Sequence, residues 1–194
     1  VTPGQISVTL DTGTVAVANG MYAAAAIAGI ICNNNFTCGE PITGKTLSNV
    51  TVNDRYTREE KNVLASYGCL VIEGAEGTSV AKIRHALSTS TGDYVKSEIK
   101  ITKIKDVISN TLRLALDRAY INTRFLGAST ISEMTTTVNT ILSSFLANND
   151  IYSYNNLVIA QDQKYPNQVN VSFRIAPAVD LNYILITFGV TFQE

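Results

Sequence analysis

The sequence predicts an α+β fold, and three observations carry that expectation. Val169, Val171, Phe173 and Ile175 alternate with Asn170, Ser172 and Arg174, the period-2 signature of a half-buried strand. The same alternation returns from Ile184 through Ile186, Phe188, Val190 and Phe192, with Tyr183, Leu185, Thr187, Gly189 and Thr191 on the opposite face. Between residues 104 and 145 the apolar positions switch to helical spacing. They fall at Ile104, Val107, Ile108, Leu112, Ala115, Leu116 and Ala119, and then at Ile131, Met134, Val138, Ile141, Leu142 and Phe145. Two helices followed by an antiparallel sheet therefore account for the second half of the chain, while helix, glycine and strand in succession over residues 57–72 suggest an α/β layer in the first.

Each element has a local reason. Ile6, Val8 and Leu10, then Val15 and Val17, are broken by Asp11, Thr12 and Gly13, which reads as two short strands about a turn. Met21 to Ile31 is Ala-rich and apolar on nearly every side, so it is expected to be a helix buried in a core, ended by Asn33, Asn34 and Asn35. Residues 33–56 are polar, with Gly39, Pro41 and Gly44, and read as a long surface connection. Thr57 with Glu60 has capping-box spacing, Val63, Leu64 and Tyr67 share one face of the helix it starts, and Gly68 stops it. Cys69 to Ile72 and Val80 to Leu87 are strand-length apolar runs about the Gly74 to Gly77 turn.

From Ile99 the texture changes. Ile99 and Ile101 alternate with Lys100 and Thr102 before the first helical stripe, whose polar side carries Lys105, Asp106, Arg113, Asp117 and Arg118. Gly127 stands where a C-terminal cap belongs, and Thr130 with Glu133 reads as the start of the second helix. Asn148, Asn149 and Asp150 make the next turn, Leu157 to Ile159 a strand, and residues 163–168 a loop leading to the strand that Pro177 ends.

Composition narrows the function. With 45% hydrophobic residues in 194, the chain can fill a sizeable core. Its 15 basic and 16 acidic residues are sparse and balanced, so no global field favours nucleic acid. The longest apolar run, Met21 to Cys32, falls short of the roughly 20 residues a bilayer span needs, so no membrane insertion is expected. Opening on Val1, with no initiator Met and no charged n-region, the sequence reads as starting at an internal point of a longer protein, without a signal peptide. Cys32, Cys38 and Cys69, an odd and scattered set, read as free thiols, and His85 has no second cysteine pair near it, so neither a metal nor a cofactor is assigned.

Two patterns invite catalytic readings. Gly39-Glu40-Pro41-Ile42-Thr43-Gly44-Lys45-Thr46 satisfies the P-loop template, which makes a nucleotide-binding enzyme the alternative reading. That chemistry needs a strand before the loop and a helix N-terminus after it, where successive N–H groups cradle phosphates. Here polar Asn33 to Thr37 precedes it, Leu47 to Asn53 is a poor helix, and Pro41 removes an N–H. Ser79, His85 and Asp93 could be assembled into a hydrolase triad but lack a nucleophile elbow, and the adjacent Glu59 and Glu60 diverge on a helix, so no catalytic residues are assigned.

Taken in order, these pieces resemble the contractile tail sheath proteins of bacteriophages and related particles. The resemblance runs the whole chain: the Ala-rich helix with its Ala28-Gly29 step, Gly44 to Val50, the helix from Thr57 to Gly68 with its following strand, and Glu98 to Ile104 leading to Phe125-Leu126-Gly127. The second helix, ending near Phe145-Leu146, then Ile175-Ala176-Pro177-Ala178 and the ending Val169 to Phe192 complete it. It implies that residues 1–97 are the later part of a subtilisin-like α/β sheath domain without a surviving protease site, and that residues 98–194 form the C-terminal two-helix plus antiparallel-sheet domain.

The function the resemblance implies is that of a structural subunit which polymerises helically around a tail tube and contracts to drive it through the target cell envelope during genome delivery. The implied interface strand, exchanged between neighbouring subunits, is Tyr183, Ile184, Leu185, Ile186, Thr187, Phe188, Gly189, Val190, Thr191 and Phe192. Implied partners are neighbouring sheath subunits, the tail tube protein, and baseplate and tail terminator proteins, in a virion tail assembled in the bacterial host cytoplasm. A non-contractile adhesin or baseplate component is a third reading, sharing the β-rich end without helical polymerisation.

Overall fold

The computed structural model describes residues 4–33, 38–53, 56–74 and 80–180. Its order is β1 (Gln5–Thr9), β2 (Val15–Asn19), α1 (Met21–Cys32), β3 (Thr46–Val52), α2 (Arg58–Ser66), β4 (Val71–Gly74), β5 (Val80–His85), α3 (Tyr94–Ser97), α4 (Ile99–Tyr120), α5 (Ala128–Ala147), β6 (Ile151–Gln161) and β7 (Val169–Pro177). The class is α+β. The first five strands form one antiparallel sheet in the order β2-β1-β3-β5-β4, and β6 and β7 form a separate two-stranded sheet.

Around the first sheet, Ile6, Ala23, Ile27, Leu47, Ile72 and Ile83 form one apolar cluster. Burying these apolar side chains is the main force holding α1 on the sheet. The expectation that α1 is enclosed is corrected among the described residues. Only Ala23 and Ile27 are buried, and Met21 and Tyr22 face outward, because a single layer of helix covers a sheet with one stripe. The helix α2 starts as its spacing predicts: the Thr57 hydroxyl accepts from the Glu60 N–H, and the Glu60 carboxylate accepts from the Thr57 N–H. It stops at Gly68, whose φ of 73° and closeness to the Ser88 carbonyl leave no room for a side chain.

Residues 33–56 are not simply the surface connection their composition predicts, because β3 lies within them, paired to β1 and β5 in mid-sheet. A bulge hides it in the sequence. Asn49 adopts φ 61°, so the inward residues are Leu47 and Val50, three apart instead of two, and the alternation is lost.

The second cluster gathers Ile104, Ile108, Leu112, Val138, Leu142 and Phe145 from the two long helices with Ile151 of β6. These are the residues the helical stripes name. The alternation of Ile99 to Thr102 does not make a strand: α4 begins at Ile99, which packs on the first cluster, while Ile104 belongs to the second. Gly127 does not cap the first helix. That helix ends at Tyr120, with Ile121 as its C-cap and Asn122 at φ 59°, and Gly127 is the N-cap of α5 instead. Thr130 and Glu133 form no capping box either, since Thr130 is already in the helix and donates its hydroxyl to the Phe125 carbonyl at 2.8 Å. The strand expected over Leu157 to Ile159 extends to eleven residues, with a bulge at Asn156, φ 55°.

Candidate functional site

The P-loop match fails on geometry. After Lys45 the chain enters β3, so no helix N-terminus faces the loop. Three of its N–H groups are already used: Gly39 donates to the Asp150 carboxylate at 2.6 Å, Gly44 to the Ile83 carbonyl at 2.7 Å and Lys45 to the Ile42 carbonyl at 3.2 Å. Lys45 is ion-paired to Glu40 within the same loop. Gly39 and Gly44 thus serve close packing and a positive φ, which is why a phosphate-binding pattern recurs here without a phosphate site.

The triad does not assemble. His85 Nε2 lies 2.8 Å from Glu98 Oε1, both side chains largely buried, and Asp93 accepts from the Val95 N–H to start α3. Ser79 lies outside the described residues. Glu60 is committed to its cap and Glu59 is exposed. Among the described residues no group of three or more His, Cys, Asp or Glu could hold a metal ion, and no helix is long and apolar enough to cross a membrane.

A surface suited to binding a chain segment lies in the second half. Val169, Val171, Phe173 and Ile175 on the inner face of β7 are only half buried. Among the described residues β7 pairs with β6 on one edge and with nothing on the other. Between β7 and α4 lies a pocket of about 440 Å³, walled by Ile108, Leu112 and Leu116 on the helix and by Val171, Phe173 and Ile175 on the strand. It shares Arg113, Leu116 and Val171 with a second pocket of about 580 Å³, bounded by Tyr120, Leu126 and Met134.

The two make one groove along β7, apolar on its floor, with Lys105, Arg113 and Arg124 at its margins. At the wide end Phe125, between Arg124 and Leu126, is 97% exposed. A strand laid there would gain backbone hydrogen bonds from β7 and bury alternate side chains under α4. The sequence signal for the groove is the two stripes that build its walls. What a linear pattern does not carry is that α5 covers β6 while α4 stands off β7. The expected interface strand, Tyr183 to Phe192, lies outside the described residues.

No family model matches the chain. It is 26% identical over 175 residues, 90% of its length, to the tail sheath protein of Mycobacterium phage Bxz1, of which it spans 30%. Among solved structures, it superposes on the sheath tail protein of Listeria innocua with a TM-score of 0.76 at 17% identity, covering 90% of this chain and 42% of that one. It matches the contracted helical sheath of the anti-feeding prophage at 0.73 and 13% identity, covering 96% of this chain and 54% of that one. In sequence and in fold the chain therefore resembles contractile tail sheath proteins, and it spans about a third to a half of the proteins it matches.

Proposed function

We propose that this chain is part of a structural subunit of a helical contractile tail sheath, which polymerises around a tail tube and drives it through the target envelope on contraction. The observation that carries the reading is the apolar groove along the edge of β7 that has no partner strand among the described residues, in a chain similar to tail sheath proteins. In this reading residues 1–97 are the later part of a subtilisin-like sheath domain and 98–194 the C-terminal domain. Tyr183 to Phe192 of one subunit adds a strand in the groove of another, and the subunits turn as rigid bodies about such links. The partners are other copies, the tube, and the baseplate and terminator proteins of a virion tail assembled in the host cytoplasm. The subunit has no enzymatic role, and the work of contraction comes from the packing of the extended sheath.

Deleting Phe188 to Glu194 tests this. The truncated protein should keep the helical circular dichroism of α4 and α5, whose stripes pack on each other and on β7, while losing ordered polymers in electron micrographs. Intact tubes from the truncated protein would mean that the terminal strand is not the link between subunits.

A further inference from the structure

The boundary between residues 97 and 98 is crossed by packing in both directions. Cys38, from the loop before β3, is buried in the second apolar cluster, while Ile99, the first residue of α4, packs on the first. Each half thus contributes a side chain to the core of the other. Asp150 adds a polar tie: its carboxylate accepts from the Gly39 N–H, and its carbonyl accepts from the Ala178 N–H at 3.1 Å, where the chain leaves β7.

At the root of α4 the ties are closer together. The Ile99 N–H donates to the Ala86 carbonyl at 3.1 Å, the Ser88 N–H donates to the Ser97 carbonyl at 2.6 Å, and Leu87 bridges antiparallel to Glu98. Beside this short ladder His85 Nε2 meets Glu98 Oε1 at 2.8 Å, with side-chain exposures of 15% and 6%. Two residues on, Lys100 is ion-paired with Asp180, also out of solvent. Glu98 and Lys100 therefore fasten one end of α4 to β5 on one side and to the chain after β7 on the other.

Apolar contacts alone would let a helix slide or tilt at modest cost, but a buried polar pair is satisfied in one geometry only. Swinging α4 away from β5 would leave an imidazole and a carboxylate without each other in a low-dielectric setting. The helix is also continuous from Ile99 to Tyr120, about 33 Å at 1.5 Å per residue, so a direction fixed at its root is carried through the second core.

We propose that the His85–Glu98 pair is a lock that makes the two sides of the 97/98 boundary one cooperative unit, so that this boundary does not act as a hinge. The inference goes beyond the sheath reading and does not depend on it. His85 and Glu98 are positioning residues, acting through the direction they give α4.

Native-state hydrogen exchange in low urea tests this on the whole chain, comparing the Ile83 amide in β5 with the Leu142 amide in α5, both at fully buried residues. In the wild type the two should exchange through one opening, with equal protection and equal dependence on urea. His85→Leu/Glu98→Leu removes both polar groups and so strands neither. In that variant the two openings should separate by about tenfold or more. Glu98→Gln, which keeps a side-chain amide within reach of His85 Nε2, should behave as the wild type. Should the double variant fold poorly, His85→Asn, too short to reach Glu98, is read in the same way. Wild-type amides that already open separately overturn the single unit, whether or not the protein forms tubes. A folded variant whose two amides still open together overturns the lock and leaves the exchanged core residues to join the halves.

Discussion

The N–H of Gly39 donates to the carboxylate of Asp150 at 2.6 Å, joining the loop before β3 to the turn between α5 and β6. The fit is close: a Cβ on residue 39 would stand 2.6 Å from the same oxygen and 2.8 Å from Asp150 Cα. Asp150 is 2% exposed, so Asp150→Ala empties a buried site and leaves the part-buried Gly39 N–H without its partner, which should cost about 1–3 kcal/mol. Gly39→Ala should cost a comparable amount by steric displacement. Urea denaturation of both variants checks this, and a Gly39→Ala protein as stable as wild type would show that the contact yields easily.

Leu142 is fully enclosed between the helices, while Leu112 also borders the groove. Both alanine variants should fall in the range of about 2–5 kcal/mol, with Leu142→Ala the costlier, because the wall of an open groove can relax around a truncation. Arg113→Ala, on the solvent side with an i,i+4 partner in Asp117, should cost less than about 1 kcal/mol. A denaturant series placing Arg113→Ala above either leucine variant contradicts the assignment of faces.

Lys45→Ala removes one half of a loop ion pair with Glu40 and no phosphate ligand. Assembly should be unchanged and stability altered by less than about 1 kcal/mol. Isothermal titration with ATP and magnesium should show no saturable binding in either protein. Micromolar binding that vanishes in the variant would restore the nucleotide reading.

Burial pushes the Cys38 thiol from its ordinary 9.0 up to about 12, and the adjacent Asp150 carboxylate adds to the shift. Below the unfolded value both states hold the proton and stability is unaffected. Above it only the unfolded chain ionises, so stability falls as pH rises from about 9 toward 12, by at most about 1.4 kcal/mol per pH unit. Subtracting a Cys38→Ala variant isolates this contribution from the tyrosines and lysines that titrate nearby. Equal losses of stability between about pH 8 and about pH 10 in both proteins would exclude it.

The sequence shows most clearly what rests on period. The stripes of α4 and α5 and the alternation of β7 name the second core and its partly buried flank almost residue by residue, because one face of each element is turned inward along its length. The Thr57–Glu60 box is legible for a similar reason, since both partners lie within one turn. Where a residue leaves the ordinary backbone regions, the reading fails. Asn49 breaks the pattern of β3, and Asn122 ends α4 where Gly127 had seemed the better cap. The groove depends on how far α4 stands from β7, and the Lys100–Asp180 pair joins residues 80 apart, distances on which no local pattern bears.

The Gly39–Asp150 contact, which spans 111 residues, also has a kinetic consequence. Most other contacts here are local: the β1–β2, β4–β5 and β6–β7 hairpins and the α4–α5 pair each close over short stretches of chain. Loop-closure entropy favours those first, so both halves should gain their own structure before this long loop closes, and the clasp forms on the native side of the folding barrier. Asp150→Ala should then accelerate unfolding while leaving the folding rate nearly untouched, a φ-value near zero, whereas a value near one would place the clasp inside the nucleus. Late closure means that the loop before β3 stays accessible to proteases and chaperones longer than any other part of the first sheet.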